Sequence, residues 1–134
     1  MRQNLPELLL YACGVYNLLF VVFHALFWRL FKWHKQLRKL KTYNRAIVQI
    51  LNLRLIYVLG VFGALCLAYP AELLSASLGH FILGSMAVFW LGRLIEQFVF
   101  LPINTRPVYS LALIFFLGTL LHAFPLLLSL LHAS

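Results

Sequence analysis

The chain has 134 residues, 63% hydrophobic and 10% charged, with eleven Lys plus Arg against three acidic residues and a net charge of +8. Soluble domains carry about 25% charged residues, so too little charge is present to coat a water-facing surface, and the mean hydropathy of +0.92 points to lipid as the solvent. Glu7, Glu72 and Glu96 leave almost nothing for two-carboxylate chemistry, and no GxSxG, HExxH or phosphate-loop pattern occurs, which argues against an enzyme.

A helix needs about 20 mostly apolar residues to cross a bilayer. Segments 8–28, 50–69, 78–100 and 108–130 meet that requirement. They predict an all-α integral membrane protein: one domain over residues 1–134, an antiparallel bundle of four transmembrane helices, with a basic amphipathic segment between the first and second. Arg2 gives the first segment only a weak positive start, Glu7 interrupts it, and no small-x-small cleavage site follows. It is therefore expected to be a retained span and not a signal peptide. "LLYACG" lacks a lipoprotein cleavage box because Tyr11 is too bulky for its position.

The stretch "RLFKWHKQLRKLKTYNR" follows, and eight of the eleven Lys plus Arg lie between residues 29 and 54. Leu30, Trp33, Leu37 and Leu40 recur at spacings of three and four, with Lys32, Lys35 and Lys39 on another face. That pattern predicts a basic helix lying on the membrane, meeting anionic head groups near residues 29–45. A cation cluster pressed between apolar blocks suits a membrane surface, not nucleic acid. Basic loops stay cytoplasmic. The next connection carries only Glu72 and the third carries Arg106, which places both termini on the non-cytoplasmic side, in a bacterial inner membrane. Trp28, Trp33, Tyr43 and Tyr109 fall where interfacial aromatic residues are expected.

Within the spans, Gly60, Ala64 and Ala68 recur every four residues, and Gly84, Ser85 and Gly92 lighten the third helix. Small residues at helical spacing let backbones approach, so both stripes are expected to face neighbouring helices, either within the chain or in a second copy. The run "FWLGRLIEQFVFLP" adds Arg93, Glu96 and Gln97 to otherwise apolar sequence. Arg45, Gln49 and Asn52 form one stripe on the second helix, and His24 follows Asn17 by a heptad on the first. These positions predict an intramembrane polar network of His24, Gln49, Asn52, Arg93, Glu96 and Gln97. Glu96 would pair with Arg93 or with Arg54, which can instead snorkel to the head groups. Such groups act as interhelical glue or as a proton path, and glue is the favoured expectation at this depth.

Cys13, Cys66, His80 and His122 supply one possible ligand per helix. His80 and His122 could clasp a haem or other porphyrin iron axially, whereas the cysteines are weak candidates for zinc or copper. Ser85 and His122 could be nominated for serine chemistry. The composite expectation is a non-catalytic accessory, assembly or structural subunit of a larger membrane complex or homo-oligomer. The alternatives are a haem- or pigment-binding redox subunit and a small proton or solute transporter using Glu96.

Overall fold

The computed structural model describes residues 4–133; Arg2 lies outside them. The described chain is 91% helix with no strands. It runs α1 (Asn4–Ala25), α2 (Phe27–Leu30), α3 (Trp33–Gln36), a 3-10 turn (Leu37–Lys39), α4 (Thr42–Ala68), α5 (Pro70–Ser75), α6 (Ser77–Phe100) and α7 (Arg106–Ala133). Four of these, α1, α4, α6 and α7, are long and apolar enough to cross a membrane. The largest departure from expectation is that α4 begins at Thr42 and not near residue 50. Hydropathy marks only the oily stretch, while Arg45, Ala46 and Gln49 are good helix formers that carry the ladder into polar sequence.

The expected basic surface helix is broken into pieces. Lys32 adopts a left-handed conformation, φ 49° and ψ 44°, which no α-helix can include and which costs a non-glycine residue about 1–2 kcal/mol. The bend turns Trp33 back onto α2, edge-on to Phe27 at 5.6 Å and to Trp28 at 5.1 Å. Leu37 is buried, whereas Leu30 and Leu40 remain exposed. The predicted apolar stripe is therefore split, because aromatic packing on the end of the fold outweighs a continuous helix.

Contact pairs run in opposite order along α1 and α4: Gly14 meets Leu67, Leu18 meets Gly63, and His24 meets Asn52. Along α6 and α7, His80 meets Ser129, Trp90 stacks with Phe115, and Gln97 meets Val108. The close crossing of α1 and α4 is at Gly14 and Gly63, where a Cβ on either would sit 3.2–3.3 Å from the other's carbonyl oxygen. Of the expected small-residue stripes, Gly84 lies against Leu126 of α7. Gly60 and Gly92 face open space, and Ala64, Ala68 and Ser85 are exposed. Gly63, next to the predicted stripe, is the residue that lets the backbones meet. Pro70 starts α5 at its first turn, where its missing N–H is harmless. Leu73 then buries under α6, so close that a Cβ on Gly79 would strike the Glu72 carbonyl and the Leu73 backbone.

Polar side chains share the interior with apolar ones such as Leu10, Leu59, Leu83 and Met86. The interior holds Asn17, His24, Asn52, Gln97 and His122, while Leu19, Ile50, Val88, Phe81 and Phe116 are among the many large apolar residues outside. At mid-height Tyr16, Phe20, Trp90 and Phe115 form an aromatic cluster, with Phe20–Trp90 centroids 4.7 Å and Tyr16–Trp90 centroids 4.8 Å apart. The end bearing residues 26–41 is called the basic end below, and the opposite one the terminal end.

Candidate functional site

Buried polar groups gather at two levels. Near the basic end, the His24 ring nitrogen Nδ1 is 2.9 Å from Asn52 Oδ1, and Asn52 Nδ2 donates back to the His24 carbonyl at 3.0 Å. Two donors and two acceptors are thus satisfied by one clasp between α1 and α4. One turn nearer the basic end, Trp28 Nε1 donates to Gln49 Oε1 at 3.2 Å, and Gln49 Nε2 donates to the Arg45 carbonyl at 3.1 Å. On the α6–α7 side, Arg93 donates to Gln97 Oε1 at 3.2 Å, and Gln97 Nε2 donates to the Val108 carbonyl at 3.4 Å. The Arg93 guanidinium also lies 4.6 Å from the Phe115 ring centroid, a cation–π arrangement that keeps charge partly compensated away from water.

The expected single network is therefore two pairs of helices, each internally bonded. His24 and Arg93 come together only as neighbours lining a cavity of about 10 Å³, beside Leu59, Trp90 and Phe115. That is at most the volume of one water. Glu96 is not part of either pair. It is exposed, close enough to attract the Arg93 guanidinium, which gives its hydrogen bond to Gln97 instead. Arg54 is exposed as well, with its guanidinium 6.0 Å from the Tyr57 ring.

The position of Glu96 follows from helical geometry. Phe89 packs edge-on against Phe62 of α4, centroids 5.4 Å apart. Glu96 lies about two turns further along the same face of α6. The opposing face of α4 at that level carries Leu55, half-buried, and Leu51, exposed by 62%. The seam between α4 and α6 is thus closed near the terminal end by Phe62–Phe89 and by Cys66 Sγ, 3.9 Å from Met86 Sδ. Towards the basic end, Glu96 stands on the exposed face of α6 beside Ile95 and Val99, exposed by 55% and 62%.

The second level is nearer the terminal end. Asn17 Nδ2 donates to the Cys13 carbonyl at 2.8 Å and to His122 Nε2 at 2.9 Å. His122 Nε2 is accordingly the acceptor, and Nδ1–H donates to the Gly118 carbonyl at 2.7 Å. Both ring nitrogens are committed, on a side chain with no exposure. His80 bonds the Leu74 carbonyl at 2.7 Å and meets Ser129. Ser129 is about 10 Å along α7 from His122, whereas two imidazoles on one iron need nitrogens within about 4 Å. The structure does not bring the expected axial pair together. Ser85 bonds the Phe81 carbonyl on an exposed face, away from His122.

The cysteines are also separated from the histidines as ligands. Cys13 and Cys66 are free, buried thiols packed with Met86 and Leu83, and among the described residues no group of three or more His, Cys, Asp or Glu could hold a metal ion. Cys13 has another partner. Pro125 inside α7 has no N–H to give the Leu121 carbonyl four residues back, and the Cys13 thiol donates to that oxygen at 3.2 Å. Among the described residues, Asn17 Oδ1 and Trp90 Nε1 are buried with no partner. The sequence aligns Asn17 with His24 without including it in the expected network, and nothing in it ties Tyr16, Trp28 or Trp90 to a polar partner, since an aromatic residue in a span carries no periodic signature of its partner. No family model, curated protein or solved structure matches the chain.

Proposed function

We propose that the chain is a non-catalytic integral membrane subunit, an antiparallel bundle of its four long helices, that docks a polar transmembrane helix of a larger complex, or of a second copy, on the exposed face of α6 that carries Glu96. The observation that carries this reading is Glu96, an exposed carboxylate between lipid-facing Ile95 and Val99. A carboxylate at such a site is costly against hydrocarbon, which favours a polar companion. The other buried polar groups favour a structural role, because they bond to one another and line no cavity larger than a water at the His24–Arg93 level. With basic loops held in the cytoplasm, residues 26–41 face inward and both described ends of the chain face outward, in a bacterial plasma membrane.

Gentle-detergent purification with identification of co-purifying chains tests the proposal. The wild-type chain is expected to retain a partner or to run as an oligomer, and Glu96→Leu to lose it. A wild-type chain that is monomeric and partner-free in mild detergent and in nanodiscs overturns the reading. So does a Glu96→Leu variant that keeps its partner undiminished.

A further inference from the structure

The broken segment at the basic end builds a second site, unrelated to the exposed face at Glu96. Because Lys32 reverses the chain, α3 and the 3-10 turn fold back beside the first turns of α4. His34 and Arg38, four residues apart, form one wall, and Arg45 and Gln49, also four apart, form the other. Trp28 and Trp33, edge to face at 5.1 Å, close the end. The cavity, partly open to its surroundings, is about 220 Å³. Gln49 is held in place by its bonds to Trp28 and to the Arg45 carbonyl, and Leu37, exposed by only 7%, anchors the turn that carries Arg38.

We infer that this cavity is a head-group site for an anionic phospholipid, whose phosphodiester is held between Arg38 and Arg45. Arg38 and Arg45 both line it, and no acidic residue occurs in the sequence between Glu7 and Glu72 or lines the cavity. The cations therefore have no carboxylate of their own there, and arginine's planar fork matches phosphate oxygens. Two features select a lipid over free phosphate. The indole walls suit the glycerol region at a bilayer interface, and Leu30 and Phe31, exposed by 53% and 49%, lie in the chain between the lining residues Trp28 and Trp33 and offer apolar surface for an acyl chain. Basic pockets beside spanning helices on the cytoplasmic side are where such head groups bind. The inference rests on the membrane reading above and is independent of any partner at Glu96.

The test uses the full chain, with alkaline washing of membranes first. Release by alkali would overturn the membrane reading itself. A chain that stays is reconstituted in nanodiscs of phosphatidylcholine with phosphatidylglycerol and examined by native mass spectrometry. One phosphatidylglycerol per chain is expected to be retained in preference to phosphatidylcholine. Arg38→Gln with Arg45→Gln should lower that retention roughly 25-fold, from about 1 kcal/mol per arginine near the surface. Arg54→Gln, an exposed cation on α4 outside the cavity, should leave it unchanged, and the double lysine variant should restore part of it. Circular dichroism confirms that each variant folds. Equal retention of the two lipids by wild type, or undiminished retention by the double glutamine variant, overturns the inference. Displacement of the lipid by millimolar inorganic phosphate would overturn the lipid assignment in favour of the free anion.

Discussion

Pro125 would leave a backbone acceptor without a partner if α7 stood alone, and the Cys13 thiol of α1 supplies the missing donor to Leu121. In lipid such a freed carbonyl has no water to turn to. Cys13→Ala is therefore expected to destabilise the fold by about 1 kcal/mol beyond its lost packing, and Cys13→Ser to recover most of that hydrogen-bond loss. In a Pro125→Ala background, where the main-chain N–H returns, the extra cost should vanish. A double-mutant cycle in detergent unfolding reads this directly, and equal Cys13→Ala costs in both backgrounds would remove the link. Lys32 offers a gain at the same scale. Its left-handed backbone suits glycine, so Lys32→Gly should stabilise by about 0.5 kcal/mol after the entropy cost of glycine, while Lys32→Val destabilises. Residue identities were legible in the sequence, but their partners were not. Asn17 was aligned with His24 on one helix face, yet it bonds His122 some hundred positions away, and spacing along one helix carries no information about such a pair.

Between elements, the packing is decided by glycines whose importance is invisible from composition. Gly79 allows α6 to cross the backbone of α5, and the groups that a Cβ would meet there are main-chain atoms that cannot rotate away. Gly79→Ala is expected to cost about 1–3 kcal/mol, the usual range for overpacking. Gly60→Ala, opposite empty space, should be nearly neutral. Matched unfolding curves of the two variants check the contrast, and comparable losses in both would show that α5 yields. The same scale explains why the stripe does not pack within the chain. A period of four along α4 was real in the sequence, but the face turned to α1 is set by Gly14 and Leu18 reaching Gly63. Likewise, the periodic Leu30, Trp33, Leu37 and Leu40 suggested one helix. The rings of Phe27, Trp28 and Trp33 packed more favourably with the chain bent.

For the whole molecule, the face of α6 that carries Glu96 separates glue from docking. If Glu96 stabilised the isolated fold, replacing it would weaken that fold. Its exposure implies the reverse. Glu96→Leu is expected to leave the monomer's detergent unfolding unchanged or raise it by up to about 1 kcal/mol, because a charge is removed from apolar surroundings, while assembly is lost. Asn52→Leu should do the opposite, lowering stability by roughly 0.6–2 kcal/mol through the broken clasp with His24. A Glu96→Leu variant that unfolds as easily as Asn52→Leu would place the carboxylate in the monomer's own framework.

Composition and hydropathy alone determined that the chain is helical, with four segments oily enough for a bilayer, because in hydrocarbon every backbone group must be bonded within its own segment. The sequence also named His24, Asn52, Arg93 and Gln97 as polar groups that would need partners. Tertiary structure alone decided which partners they took: two clasps and not one network, His122 committed to Asn17 and Gly118, and Glu96 turned outward. Helical period places a side chain on a face. Only the crossing of helices, as at Gly14 and Gly63, decides whether that face meets protein or stays exposed.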